Sequence, residues 1–274
     1  MASPLDRRFT LDDFRRMKRD GHKFAMLTAY DYPTAVCAQA AGVPALLIGD
    51  SMGCVLLGHE NTRGVPLELM ITLGAAVRRG APNVYLVGDI PYESAQRDTD
   101  GLLHAARRFR EEAGCNAVKI ETPAEHPDWI AALAQAGFEV IAHLGLRPQS
   151  VVTPRDYRAQ ARTRSEIETL VRAAESFVGA GAAMLLLEAV PNEAAQAVAE
   201  ATDAPLIGCG AGPACDGHVC VTQDMLGLGA DRLPRFVPKH ADLRATMEQA
   251  MRRWITDIEN QTYPGPEHVY GMLK

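Results

Sequence analysis

The 274 residues carry 28 Lys and Arg against 34 Asp and Glu, a formal charge of −6 spread without blocks of one sign. That balance leaves no electrostatic footprint for nucleic acid or an anionic membrane, and the expected partner is a small molecule. A chain of this length buries its core without disulfides. Cys37, Cys54 and Cys115 are scattered, while Cys209, Cys215 and Cys220 are spaced unlike the pairs of zinc sites, so reduced thiols are expected and His218 is not read as a ligand. The N-terminus "MASPLDRRFTLDDF" lacks an apolar segment of signal length, and no apolar run approaches bilayer length; the expectation is a cytoplasmic protein.

In chain order, a helix is expected over Leu11 to Arg19, ahead of the first strand. Short runs rich in Leu, Ile and Val then alternate with segments of helical apolar spacing. Strands are expected at Phe24 to Thr28, Ala45 to Gly49, Val84 to Gly88, Ala117 to Glu121, Phe138 to Ala142, Met184 to Leu187, Pro205 to Cys209 and Arg235 to Val237. Between them the helices include Leu67 to Arg79, Leu102 to Glu112, Asp128 to Gln135, Glu166 to Gly179 with Ser165 as its N-cap, and Glu193 to Glu200. A last helix spans Asp242 to Asn260. Eight βα units without a dividing linker predict one (β/α)₈ TIM barrel domain over 1–274, with an extra helix at each end; an open doubly wound sheet is the alternative. The irregular stretch Gly145 to Thr163 is read as an active-site loop. "GCGAGPACDG", Gly208 to Gly217, follows a late strand and meets Pro213 instead of a helix, so it is a rim turn and not a dinucleotide fingerprint.

Catalytic groups of a barrel sit at the C-terminal ends of its strands. Asp50 after "LLIG", Asp89 after "YLVG" and Glu121 ending "NAVKIE" would close three neighbouring strands, and their oxygens could serve one hard cation, with magnesium expected. Lys119 and Glu121 share strand parity and should face the barrel mouth, leaving Val118 and Ile120 to face helices. His143 in "EVIAHLG" and Glu188 in "MLLLEAVP" extend the ring.

Several blocks carry a resemblance: "LTAYDYPTA" (Leu27 to Ala35), "LIGDSMG" (Leu47 to Gly53), "VRRGAP" (Val77 to Pro82), "AHLGLRPQSV" (Ala142 to Val151), "LLLEAVP" (Leu185 to Pro191), "GAGPACDG" (Gly210 to Gly217) and "YPGPEHVYG" (Tyr263 to Gly271). They resemble, nearly end to end, the ketopantoate hydroxymethyltransferase family. The resemblance implies a barrel of the phosphoenolpyruvate mutase and isocitrate lyase type, assembled as a homodecamer. It also implies transfer of a hydroxymethyl group from 5,10-methylenetetrahydrofolate to 3-methyl-2-oxobutanoate, giving 2-dehydropantoate for pantothenate biosynthesis. By the same resemblance Asp50 and Asp89 hold Mg²⁺ with Glu121 beside it, Ser51 and Lys119 bind the 2-oxo acid, His143 lies near it and Glu188 is the base.

The chain departs from the family wording at "NTRGVP" (Asn61 to Pro66), which brings in Arg63; at "ITLGAA" (Ile71 to Ala76), where a common histidine is missing; and at "RDYRAQART" (Arg155 to Thr163), where glycines are lost at Arg155 and Asp156. The alternative these changes raise is a paralogue applying the same metal-enolate chemistry, or C–C bond lysis, to another 2-oxo acid. Two further alternatives are a Schiff-base aldolase using Lys119 and a non-catalytic barrel.

Overall fold

The computed structural model describes residues 6–95, 98–151, 157–229 and 233–273. Along the chain the elements are α1 (Leu11–Arg19), β1 (Phe24–Thr28), α2 (Tyr32–Ala40), β2 (Ala45–Ile48), α3 (Met52–Val55) and α4 (Leu67–Gly80), then β3 (Tyr85–Asp89), α5 (Tyr92–Ala95), α6 (Thr99–Glu111), β4 (Ala117–Glu121), α7 (Pro127–Gln135) and β5 (Glu139–Gly145). They continue with α8 (Arg164–Gly179), β6 (Met184–Glu188), α9 (Asn192–Ala201), β7 (Leu206–Cys209), β8 (Gly217–Cys220), α10 (Thr222–Met225) and α11 (Leu243–Glu259). All eight strands pair in parallel and in chain order, and β8 closes on β1 with Met26 opposite Val219. The fold is a closed (β/α)₈ barrel.

Strand alternation divides the core in two. Met26, Leu47, Val87, Ile141, Leu186, Ile207 and Val219 pack together inside the barrel. Their neighbours Leu46, Ile48, Leu86, Val118, Ile120, Val140 and Leu187 pack outward among the helices. Because side chains on a strand alternate faces, this fixes which strand-end residues look into the mouth.

The lower end of the barrel is plugged. Helix α1 carries Phe14 against the first residues of β1 and β3, with ring centroids 4.7 Å from Phe24 and 5.2 Å from Tyr85. Full burial of one such ring contributes about 1.5–3 kcal/mol. Asp13 in the first turn of α1 fixes the helix entry, its carboxylate accepting from Thr10 N–H (2.9 Å), Thr10 Oγ1 (3.0 Å), Arg7 (2.8 Å) and Arg16.

Three expectations are corrected. The eighth strand is Gly217–Cys220, while Arg235 to Val237 forms a turn in which Val237 N–H donates to Pro234 O (3.0 Å). No helix separates β7 from β8. Their connection is the glycine-rich turn itself, with Gly210 and Gly212 at φ +67° and +81°, conformations that favour glycine. The N-cap of α8 is Thr163, two residues before Ser165, with Glu166 completing a capping box. Finally, β5 continues past Ala142 to Gly145, so His143 lies within the strand instead of at its end.

The chain divides into two compact units, one ending at Thr222 and a second beginning at Gln223. In the second, α11 is capped by the Asp242 carboxylate accepting from Ala245 N–H (3.2 Å). Met247, Met251, Trp254, Ile255 and Ile258 recur at helical spacing on α11, and all are exposed.

The Arg7 guanidinium holds the Asp13 carboxyl below its usual range, against burial that acts to raise it. A depressed folded-state pKa contributes stability that is present above the unfolded value of about 4 and fades as pH falls below it. Asp13→Asn should therefore lower the urea midpoint at pH 7, with the gap from the parent closing below about pH 4; a gap that is constant with pH would refute the role of charge.

Candidate active site

Six side chains that the sequence singles out come together at the C-terminal mouth. Asp89 and Lys119 are register partners across β3 and β4, and Lys119 Nζ donates to Asp89 Oδ1 at 2.6 Å. Two residues on, Glu121 Oε1 is 3.8 Å from the same Nζ and opposite His143 in register. Asp50 stands two residues beyond β2, its backbone N–H donating to Asp89 Oδ2 (3.3 Å). His143 bridges the next gap, with Nδ1 3.3 Å from Glu121 Oε1 and Nε2 3.3 Å from Glu188 Oε2. Lys119 and Glu121 face the interior while Val118 and Ile120 pack among the helices, as alternation requires. Gly145 permits the close approach of β5 to β6: its φ is +85°, and a Cβ there would fall 2.4 Å from Glu188 O.

The electrostatics are one-sided. Three buried carboxyls, those of Asp50, Asp89 and Glu121, face one buried ammonium. Burial pushes all three acids above the usual carboxylate range, with Lys119 acting in the opposite sense. Burial alone would lower Lys119, but Asp89, Glu121 and Asp50 together outweigh it and hold the ammonium charged. Burial and the Lys119 charge lower His143, which is therefore neutral near pH 7. A neutral imidazole has one N–H and cannot serve both flanking glutamates. Glu121 Oε1 and both ring nitrogens of His143 are buried without a hydrogen-bond partner among the described residues, the 3.3 Å approaches notwithstanding.

An excess of hard oxygen donors with an orphaned carboxylate oxygen is the chemistry that suits a divalent cation. Among the described residues, no group of three or more His, Cys, Asp or Glu side chains forms a ready-made cage. Magnesium needs none, since it is commonly held by one or two carboxylates, with water and substrate completing the shell.

Two residues at this mouth, Gln149 and Tyr30, had no role assigned from the sequence, and two more, Arg63 and Tyr157, stood out there only as parts of segments that depart from the family wording. Gln149, buried in the turn after β5, donates its side-chain amide to Asp50 Oδ2 (2.9 Å) and Ile90 O (3.0 Å), and its backbone N–H to Glu121 Oε2 (2.9 Å). Arg63 backs it from the α3–α4 loop, donating from Nε to Gln149 O (2.8 Å) with its guanidinium 4.7 Å from the Tyr92 ring centroid. Buried Tyr30 hydrogen-bonds Ser51 Oγ at 2.8 Å and fixes the hydroxyl that follows Asp50. Tyr157 is partly exposed beside the acids; burial, then Cys54, Glu188, Asp50 and Glu121, push its phenol up to about 12. "AHLGLRPQSV" contains Gln149, but an amide gives no charge pattern to read. Arg155 and Asp156, where the altered loop loses its glycines, lie outside the described residues.

Removing Lys119 would leave the acids without their counter-charge. Lys119→Met should cost about 3–5 kcal/mol in urea unfolding with chelator present, the range for breaking a buried ion pair. A loss below about 1 kcal/mol would show that the cluster does not depend on the ammonium.

The fold and site can now be set beside known proteins. A family model described as ketopantoate hydroxymethyltransferase matches residues 8–266. A 3-methyl-2-oxobutanoate hydroxymethyltransferase of Geobacillus kaustophilus (strain HTA426) is 42% identical over 260 residues, covering 95% of this chain and 93% of that protein. One from Listeria innocua serovar 6a is 39% identical over 262 residues, covering 96% and 95%. Among solved structures, a phosphonopyruvate hydrolase superposes with a TM-score of 0.64 at 13% identity, covering 97% and 92% of the two chains. A 2,3-dimethylmalate lyase, a member of the PEP mutase/isocitrate lyase superfamily, gives 0.60 at 17% identity, covering 97% and 90%. These last two likenesses speak to the barrel, and the full-length relatives to the family: this chain belongs to the ketopantoate hydroxymethyltransferases.

Proposed function

We propose that the protein transfers the one-carbon unit of 5,10-methylenetetrahydrofolate to C3 of 3-methyl-2-oxobutanoate, yielding 2-dehydropantoate and tetrahydrofolate with uptake of one water. The observation that carries this reading is the continuous line of Asp50, Asp89, Lys119, Glu121, His143 and Glu188 across the mouth. Asp50 and Asp89 would hold Mg²⁺ with Glu121 beside it, and the ion would supply Lewis acidity to the 2-oxo group.

The chain's own residues do the rest. Lys119 adds fixed positive charge where negative charge develops on the ketone oxygen once C3 is deprotonated. Ser51, oriented by Tyr30, offers a hydroxyl to the oxo acid. Glu188 is the base that takes the C3 proton; its side chain retains 17% exposure, more than the other acids of the ring, and lies beside the neutral imidazole of His143. Gln149 keeps Asp50 and Glu121 from turning away from the site.

Lys119 is poorly placed to be a Schiff-base nucleophile, because its ammonium is held charged by the acids. Arg63, which raised the possibility of another 2-oxo acid, has its Nε committed to the Gln149 carbonyl and its face to Tyr92, which is a bracing role at the rim. The protein acts in the cytoplasm on this reading; no described helix is long and apolar enough to cross a membrane, and all six cysteines are free. It also acts as a homo-oligomer, a decamer by resemblance. The exposed apolar face of α11 supports association, because such stripes are normally buried.

Proton NMR of 3-methyl-2-oxobutanoate in D₂O tests the first half of the reaction. Loss of the C3 hydrogen signal should require Mg²⁺, vanish in Asp50→Ala, and slow about 100-fold or more in Glu188→Gln. Absence of exchange by folded, magnesium-loaded protein would overturn the assignment.

A further inference from the structure

Two adjoining cavities lie beside the mouth and share Gly145, Arg147 and Gln160 in their walls. The larger, 360 Å³, opens between the ends of β4 and β5 and the first turns of α8, against Leu144, Ala161 and Leu170. The smaller, 200 Å³, is completed by Leu146, Ser150, Val151 and Arg158. The guanidinium groups of Arg147, half-buried, and Arg158, exposed, meet no hydrogen-bond or ion-pair partner among the described residues, although the Gln160 amide donates to the Arg158 carbonyl (2.9 Å). Glu166 lines only the larger cavity, and its Oε2 already accepts from the N–H groups of Arg162 (2.7 Å) and Thr163 (2.8 Å). Among the described residues the smaller cavity therefore holds two guanidinium groups, a hydroxyl and an amide, and no carboxylate.

This positive pocket is electrostatically close to the reacting end. Arg147 acts on the Glu121 carboxyl, and Tyr157, next to Arg158 in the chain, feels Asp50, Glu121 and Glu188. The acid ring repels any anion that is not neutralised by the ion, whereas the rim on the β5 side attracts one. A guanidinium presents paired N–H donors matched to a carboxylate.

We propose that Arg147 and Arg158, with Ser150 and Gln160, form a carboxylate subsite that holds the acidic tail of the one-carbon donor. The proposal rests on the transfer reaction above. A tetrahydropteroylglutamate carries its one-carbon unit at one end and its carboxylates at the other, so one end engages the rim while the other reaches the oxo acid. A donor with several glutamates presents more carboxylates to the same two cations and binds more tightly.

Isothermal titration with tetrahydropteroyl monoglutamate and triglutamate, without oxo acid, reads this subsite independently of any chemistry. The unaltered protein should prefer the triglutamate, and Arg147→Ala and Arg158→Ala should each weaken triglutamate binding about tenfold and narrow the preference. Arg158 is exposed, so its variant keeps the test open should Arg147→Ala fail to fold. Inorganic phosphate is titrated in parallel. Its competition with the triglutamate would support one shared anion site. Loss of phosphate binding in the variants with triglutamate affinity unchanged would assign the pair to a different anion and overturn the proposal. Equal triglutamate affinity in all three proteins would overturn it too. Absence of deuterium exchange and of transfer in the unaltered protein would instead count against the reaction, a separable failure.

Discussion

Three buried carboxyls against one buried ammonium is the constraint around which the mouth of this barrel is built. A folded chain avoids placing uncompensated charge in a dry interior, since the cost reaches several kcal/mol per ion even after relaxation. Here the cost is spread over a line of contacts that spans β3 to β6, in which each acid is held by a neighbour it did not supply itself. Lys119 serves Asp89, Gln149 serves Asp50 and Glu121, and His143 stands between Glu121 and Glu188. What this network leaves over is carboxylate oxygen, three acids against one ammonium, which is a donor set that suits a cation.

The scaffold answers that strain with rigidity elsewhere. The two apolar clusters, one inside the barrel and one between strands and helices, leave the strand ends little freedom. Glycine at 145 lets β5 and β6 come together where Glu188 needs to stand. The rim elements are then braced by polar contacts: Arg63 from one loop grips Gln149 in another, so that a substitution on the far side of the mouth is mechanically connected to Asp50. Positioning of this kind matters because a displacement of about 1 Å in a catalytic group can cost 100-fold in rate.

Much of this was legible in the sequence because strand parity is strict. Lys119 and Glu121 had to share a face, and the first seven strands announced themselves as apolar runs. The eighth did not: His218, Val219 and Cys220 make too short and mixed a run to stand out, and the turn before it replaces the helix that βα alternation leads one to expect. Arg235 to Val237 drew the assignment by spacing alone. At α8, Thr163 and Glu166 form the capping signature, which was present in the sequence but outshone by the nearer Ser165. Gln149 and Tyr30 were silent because their importance arises from partners 99 and 21 residues away, which no local pattern encodes.

The plug at the lower end has a bearing on traffic. With Phe14 wedged against Phe24 and Tyr85, the described residues close the barrel at the end opposite the acids. Whatever sits deepest, against Lys119 and the aspartates, must enter before anything that covers the rim and can leave only after it. On the reaction proposed above, a closed floor would turn two reactants into a queue: the small acid first in and its enlarged product last out, with the bulkier donor coming and going above.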